Sequence, residues 1–258
     1  MSDAAALPCL YQFRISHYNE KVRWALDHKR IPHRRVSLVP GLHIPAAWWV
    51  SGQTGVPILD LSGEGTALSD STRIIAELER RWPDPPLYPA DPARRERALA
   101  LEEHFDEEVG DDLRRLCWAA IIDDAAFVTR ISTEGACPVM QRAFGALFPL
   151  LRPLFRRDLE LDAASVERSR ARLAGHFDRL EAEIGPSGHL VGDAFTVADL
   201  TAAAIMSALV RPPQFAYPLP EPYPRPLVEL RESLAGRAGW SWVLETWARH
   251  RDPSSEVA

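Results

Sequence analysis

The sequence predicts two unlike domains, an α/β domain followed by an all-helical domain, and three observations support this. Over the first eighty residues, short apolar runs alternate with segments whose apolar residues have helical spacing. The stretch PDPPLYPADP then carries five prolines, the composition of a stiff, extended linker. Beyond it, strand signals nearly vanish. We therefore predict an α/β domain over residues 1–83, a linker over 84–92 and a helical domain over 93–258.

The α/β domain is predicted to have the element order βαβαββα. Gly63 and Gly65 mark a turn before the fourth strand, which runs from Thr66 to Leu68, and Pro83 ends the last helix. The other predicted elements are, in order, a strand at 8–14, a helix at 17–29, a strand at 34–39, a short and poorly patterned helix at 45–51, a strand at 57–61 and a helix at 70–82.

The second domain shows helical spacing in four segments, which are residues 93–122, 163–184, 196–210 and 239–250. The third of these is apolar on nearly all sides, so we expect it to be buried. Thr196 followed by Asp199 has the form of a capping box at its start, a structural role. Residues 123–162 are less clear, because Pro149 and Pro153 interrupt their apolar cluster.

Composition excludes several classes of protein. A formal net charge of −6 argues against a nucleic-acid binder, which normally shows a basic domain or stripe. Three cysteines are too few for a disulfide framework, so a reducing cytoplasm is expected. The N-terminus lacks the pattern of a signal peptide, and no apolar run is long enough to span a membrane. The eight histidines and three cysteines show no metal-site spacing, so no metal is predicted.

Three segments resemble those of the glutathione transferase superfamily, in the same order. They are SHYNEKVRWAL at 16–26, GVPIL at 55–59 followed by Asp70 and Ser71, and GDAFTVADL at 192–200. Each segment alone is weak, but together they identify the sequence as a member of that superfamily. The resemblance implies a thioredoxin-like first domain, an all-helical second domain, glutathione as co-substrate, a homodimer and a cytoplasmic role in detoxification.

The resemblance implies where glutathione binds. Pro57 would form a cis peptide bond and turn the backbone of Val56 toward the peptide ligand, which pairs with it as an added strand would. Ser71, near a helix start, would bind the γ-glutamyl carboxylate, and Asp70 the neighbouring ammonium. Both residues also suit an ordinary N-cap. His43 would meet the glycyl carboxylate, or be an exposed loop histidine.

The first segment implies the chemistry. Ser16 stands at the helix start, where family members place Ser or Cys, and its hydroxyl would donate to the glutathione sulfur and favour the thiolate. Tyr18 is the rival donor, since His17 replaces a common proline. Because Ser16 and Asn19 occupy the two positions of a C-x-x-C motif, disulfide exchange through a protein thiol is disfavoured. Lys21 and Arg23 are predicted to be solvated or salt-bridged helix residues.

The predicted function is conjugation of the glutathione thiolate to a small hydrophobic electrophile. By position, His104, Phe105 and Trp118 are candidates to line its pocket, although aromatic residues at helical spacing more often belong to a core. Two other classes of function remain open: a non-catalytic binding or assembly module, and a glutathione-dependent peroxidase, isomerase or lyase. The segment 123–162 would cover the site or a partner.

Overall fold

The computed structural model describes residues 7–61 and 67–257 and begins with a four-stranded mixed sheet. The strands are β1 (Cys9–Gln12), β2 (Arg34–Ser37), β3 (Ile58–Asp60) and β4 (Ala67–Ser69), in the spatial order β2-β1-β3-β4. β1 and β2 are parallel, whereas β3 is antiparallel to both β1 and β4. Leu10 pairs with Leu59 at the centre, and both side chains are fully buried.

Three helices complete the first part of the chain: α1 (His17–His28), α2 (Ile44–Ser51) and α3 (Ser71–Arg81). The predicted order βαβαββα is therefore confirmed. α1 provides the crossover that a parallel pair of strands needs. The predicted turn glycines, Gly63 and Gly65, and the predicted first residue of the fourth strand, Thr66, lie outside the described residues.

The remaining described chain is helical, as predicted. Its helices are α4 (Pro92–Glu103), a π-helical segment (His104–Val109), α5 (Gly110–Ile121), α6 (Ala125–Ser132), α7 (Pro138–Asp158), α8 (Ala163–Glu183), α9 (Val197–Val210), α10 (Arg225–Glu232) and α11 (Ala238–His250). The long helix predicted over 93–122 thus contains a π-helical interruption. Within the described residues, no helix combines the length and apolarity that a bilayer crossing requires.

Helix α9 forms the centre of the molecule and packs against α1, α4, α5 and α11. All its residues except Ala208 are buried, as its apolar sequence predicts. Its N-terminus carries the predicted capping box, in which the Thr196 backbone N–H donates to Asp199 Oδ2 at 2.9 Å. Because α1 belongs to the first domain, the main core is continuous across both domains.

Helix α7 is continuous although its two internal prolines predict an interruption. The sequence suggests an interruption at Pro149 and Pro153, yet both lie inside one continuous helix of 21 residues. Each proline removes one backbone donor and crowds the carbonyl four residues earlier. Both prolines lie on the exposed side of α7, while Phe144 and Phe148 are fully buried. Burial of that aromatic side keeps the helix continuous.

Candidate active site

A cavity of about 890 Å³ lies between the sheet domain and the helical domain. From the first domain it is lined by Phe13, Ser16, His17, Tyr18, His43 and Val56, among others. From the helices it is lined by Arg114, Cys117, Trp118, Ile121, Leu151, Leu154, Phe155 and Arg211, among others. Its volume is typical of small-molecule sites. The second half of α7 forms one wall, so the segment 123–162 covers this cavity.

Ser16 lies between the first strand and the first helix, where it caps the helix and lines the cavity. It is the N-cap of α1, and its Oγ accepts a hydrogen bond from the Asn19 backbone N–H at 3.3 Å. A hydroxyl that accepts in this way keeps its own hydrogen. Since Ser16 also lines the cavity, that hydrogen is available to a ligand at the positive end of the helix dipole.

The two residues after Ser16 are engaged differently. The Tyr18 hydroxyl donates toward the Asp106 backbone oxygen at 3.0 Å and Asp111 Oδ1 at 3.1 Å. Burial, with the nearby Asp111 carboxylate, raises the pKa of Tyr18 well above its ordinary value. His17 is 5% exposed, and burial beside the Arg114 guanidinium lowers its pKa to about 3. His17 is therefore neutral, and Ser16 is the freer donor at this turn.

The segment before β3 places Val56 on the cavity. The Val56–Pro57 peptide bond is cis, as the resemblance implies. The β3–β4 ladder begins with the pair Ile58 and Ser69, so Val56 lies two residues before the sheet pairing. Pro57 is buried and does not line the cavity.

His43 also lines the cavity, at the start of α2, where its Nδ1 accepts a hydrogen bond from the Gly41 backbone N–H at 3.1 Å. Burial lowers the pKa of His43, so its ring is neutral at physiological pH and Nε2 carries the hydrogen. The ring also hydrogen-bonds the Thr54 backbone, so a hydrogen bond from His43 to an anion would replace that bond and would supply no full charge.

Asp70 and Ser71 lie off the cavity wall formed by the described residues. Asp70 is exposed and caps α3: its Oδ1 accepts from the Arg73 backbone N–H at 3.0 Å, with the Asp70 backbone at φ 82°. Ser71 is buried, and its Oγ donates to Asp106 Oδ2 over a long 3.4 Å. The N-cap interpretation therefore fits Asp70, while Ser71 faces a carboxylate of the helical domain.

Lys21 of α1 forms the centre of an ion cluster with carboxylates of α4 and the π-helical segment. The prediction that Lys21 and Arg23 are solvated is wrong, because both are fully buried; the alternative, salt bridging, is correct. Lys21 Nζ lies 3.0 Å from Glu102 Oε1 and 3.2 Å from Asp106 Oδ1. Burial raises the pKa of Glu102. Arg23 Nε lies 2.6 Å from Glu20 Oε2. A buried charge needs such partners, which sequence spacing did not reveal.

The three residues predicted to line the pocket lie in different places in the structure. Trp118 lines the cavity, and its ring centroid lies 5.7 Å from that of Phe155. Phe105 is fully buried in the main core, and neither it nor His104 lines the cavity. The π-helical segment that begins at His104 breaks the helical periodicity on which their placement rested.

Cys117 lines the cavity, yet burial raises its pKa to about 12, so its thiol stays protonated and is a poor nucleophile. Among the residues described, no group of three or more metal-ligating side chains is close enough to hold a metal ion.

Comparison with known proteins identifies both domains. Models of the glutathione S-transferase N-terminal domain and C-terminal domain match residues 10–86 and 163–225. The chain is similar to the crystal structure of the beta-etherase LigF from Sphingobium sp. strain SYK-6, at 20% identity and TM-score 0.58, covering 93% of this chain and 99% of that one. It is also similar to a glutathione S-transferase from Methylobacterium radiotolerans in complex with glutathione sulfonate, at 22% identity, TM-score 0.53 and 98% of both chains. FzlA from C. crescentus is similar at 20% identity, TM-score 0.55 and 96% of both chains.

At such identities the structures establish a shared fold, while the family rests on the two domain models. Comparison with curated protein sequences gave no match.

Proposed function

Because the chain belongs to the glutathione transferase superfamily, we propose that it is an enzyme that conjugates the thiolate of glutathione to a small hydrophobic electrophile. The observation that carries the proposal is the cavity, in which Ser16 at the start of α1 faces apolar side chains of α5 and α7. One wall thus offers a donor for sulfur, and the other offers a surface for an apolar co-substrate.

The chemistry needs an ionised sulfur. A free thiol with a pKa near ~8.5 is mostly protonated at neutral pH. The Ser16 hydroxyl and the N-terminal end of α1 favour the thiolate, because both interact with its negative charge. The sulfur then attacks the electrophilic carbon, a carbon–sulfur bond forms, and the leaving group departs with its bonding electrons. The thiol proton passes to water. No metal takes part in this scheme.

We propose that glutathione lies along Val56, which precedes β3 by two residues and lines the cavity. Its glycyl carboxylate would accept a hydrogen bond from His43. Its γ-glutamyl end would reach Ser71 and Asp70, and the Ser71 hydroxyl would exchange its long bond to Asp106 for one to the ligand. Structural neighbours that hold glutathione, or glutathione sulfonate, support this co-substrate.

One experiment tests binding and chemistry together. The purified protein is applied to immobilised glutathione, and conjugation of 1-chloro-2,4-dinitrobenzene is followed by absorbance. We expect retention, elution by free glutathione, and turnover above the uncatalysed rate. A protein that is neither retained nor active would refute the proposal.

One observation favours the second candidate, a non-catalytic module of the same fold. Ser71 is engaged with Asp106, and neither Ser71 nor Asp70 lines the cavity. A protein that binds glutathione without turning over any electrophile would fit this candidate. Turnover of a hydroperoxide, or release of a phenol from an aryl ether, would instead indicate the peroxidase or lyase alternatives, in which the same thiolate attacks another substrate.

We further propose a cytoplasmic homodimer that serves in detoxification, with residues 84–92 linking the domains between α3 and α4. Its three cysteines are free, which suits a reducing compartment. Light scattering should give twice the chain mass of 28.9 kDa. A mass of one chain at working concentration would reject the dimer.

A further inference from the structure

Arg211 occupies an unusual place at the inner end of the cavity. It is the C-cap of α9, in the left-handed conformation at φ 52°, and it lines the cavity. That conformation is normally left to Gly or Asn, because a side chain at this φ is strained. Arginine at a helix C-terminus gains some energy from the macrodipole. Its other contacts show that the guanidinium does more than close the helix.

The guanidinium is held in place without a salt bridge to a described residue. Its Nη2 donates to the Tyr217 backbone oxygen at 2.9 Å, and its central carbon lies 4.1 Å from the ring centroid of Phe215. Within the described chain, no carboxylate pairs with Arg211, and its Nε and Nη1 have no hydrogen-bond partner. Burial lowers its pKa to about 10, so the group stays charged at neutral pH. Arg211 is half-buried, and its unpaired donors are accessible at the cavity wall, so a ligand that brings an anion can accept hydrogen bonds from them.

The other arginines of the cavity wall are not in this situation. Arg114 Nη2 pairs with Asp111 Oδ1 at 2.9 Å. Arg157 is exposed, so water solvates it. Glu160 also lines the cavity. Its Oε2 pairs with Nη2 of Arg115, which does not line the cavity, at 2.6 Å. Arg211 is therefore the cavity-lining arginine, among the described residues, that is half-buried and has no carboxylate partner.

Two residues of helix α5 relate the position of Arg211 to that of the Ser16 turn. The Arg114 guanidinium carbon lies 5.9 Å from the ring centroid of Tyr18, beside the Ser16 turn. Three residues later, the Cys117 thiol donates to the Ala208 backbone oxygen at 3.7 Å, on the last turn of α9 before Arg211. One helical turn advances about 5.4 Å. The Ser16 turn and Arg211 thus lie near successive turns of α5, along one wall of the cavity.

We propose that Arg211 binds an anionic group of the electrophile, and that the electrophile is an aromatic acid whose carboxylate lies across the ring from the carbon that sulfur attacks. The inference rests on the proposed conjugation and adds its substrate class. The planar guanidinium suits a carboxylate because it offers parallel N–H donors. Phe215 and Tyr217 fix its orientation, and Trp118 provides an aromatic wall for the ring.

The test compares two electrophiles that differ only in charge. 4-Chloro-3-nitrobenzoate and 4-chloro-3-nitrobenzamide share a ring, a nitro group and a chloride leaving group; in both, a carbon–sulfur bond replaces the carbon–chlorine bond and chloride departs. Each rate is divided by the uncatalysed rate with glutathione. We expect the wild-type protein to favour the benzoate in kcat/KM by about tenfold or more, mainly through KM.

Variants assign that preference to one side chain. Arg211→Met should bring the ratio close to one while leaving the benzamide rate largely unchanged, and Arg211→Lys should keep part of it. The control Arg157→Met removes a cavity-lining charge that is exposed. This control should keep the full preference. A wild-type protein without the preference, or an Arg211→Met variant that retains it, overturns the inference.

Calorimetry separates this inference from the proposed function. If neither compound is turned over, conjugation fails as a function, and titration of the wild-type protein with 3-nitrobenzoate and 3-nitrobenzamide still examines Arg211. Tighter binding of the benzoate that is lost in Arg211→Met or, where that variant does not fold, reduced in an Arg211→Lys variant with a wild-type circular dichroism spectrum, supports the anion site. Equal affinity of the wild-type protein for the two compounds refutes it.

Discussion

Ser16→Ala removes an oxygen that caps α1 and that, in the proposed mechanism, donates to the glutathione sulfur. Loss of an N-cap typically costs ~0.5–2 kcal/mol of stability. The Asn19 N–H lies a long 3.3 Å from Oγ, so we expect the lower half of that range. Loss of a hydrogen bond to a charged group costs roughly 1.5–3 kcal/mol. Since 1.36 kcal/mol corresponds to one pKa unit, the pKa of the bound thiol should rise by about one to two.

Ultraviolet absorbance of the thiolate, titrated in the complex with glutathione, measures this pKa directly. Affinity from calorimetry should change little, because the proposed contacts of the peptide portion remain. Ser16→Thr keeps a hydroxyl and should keep the wild-type pKa. Asp124→Ala removes another N-cap, whose Oδ1 accepts from the Phe127 N–H at 2.9 Å on α6, away from the cavity. Asp124→Ala should lower stability without changing the pKa of the bound thiol.

An unchanged thiol pKa in Ser16→Ala refutes the role given to this residue. If Tyr18→Phe raises that pKa instead, the Tyr18 hydroxyl must leave Asp106 and Asp111 when glutathione binds. If neither variant changes it, the non-catalytic candidate gains.

Three further substitutions test the surroundings of the site. Asp70→Asn keeps an acceptor for the Arg73 N–H and tolerates positive φ, so glutathione affinity should fall with little change in melting temperature; equal affinity would remove Asp70 from the site. Gly110→Ala places a Cβ 2.5 Å from the Tyr18 hydroxyl oxygen, so stability in urea should fall by about 1–3 kcal/mol, whereas Gly175→Ala, in open space on α8, should raise it. Glu102 has a raised pKa when folded, so its ionisation costs stability as pH rises from the unfolded value near ~4.3 through the folded one. The unfolding free energy of Glu102→Gln, compared with that of the wild-type protein, should therefore increase as pH rises through that window. A difference between the two proteins that does not change with pH would contradict this.

Much of the fold was readable from the sequence because each element has a local cause. The alternation of apolar runs and helical spacing predicted the order of the first domain, and Thr196 with Asp199 predicted the start of α9. Helices α6 and α7 were not predicted. In α7 the prolines mask a helix whose continuity depends on burial of Phe144 and Phe148, which is a tertiary effect. Propensity is a weak guide where such packing decides.

The site was less predictable, since it depends on which charges meet after folding. Ser16, His43, Val56 and Trp118 all line one cavity, and their roles toward the ligands stay predictions. Arg211, however, precedes two prolines in the sequence and gives no local signal of a ligand. Its significance comes from the absence of a carboxylate partner among the described residues, which only the fold can show.

Asp106 explains why the helical domain matters to chemistry at the first turn. Its backbone oxygen accepts from Tyr18, and its carboxylate contacts Lys21 of α1 as well as Ser71 and Thr72 at the start of α3. One residue of the π-helical segment thus touches the turn, the helix that carries Ser16 and the helix that would receive the γ-glutamyl group. π-Helical segments often occur at functional sites because they shift side chains out of the regular spacing. In the proposed mechanism, this segment would couple the position of the sulfur donor to the binding of the opposite end of glutathione.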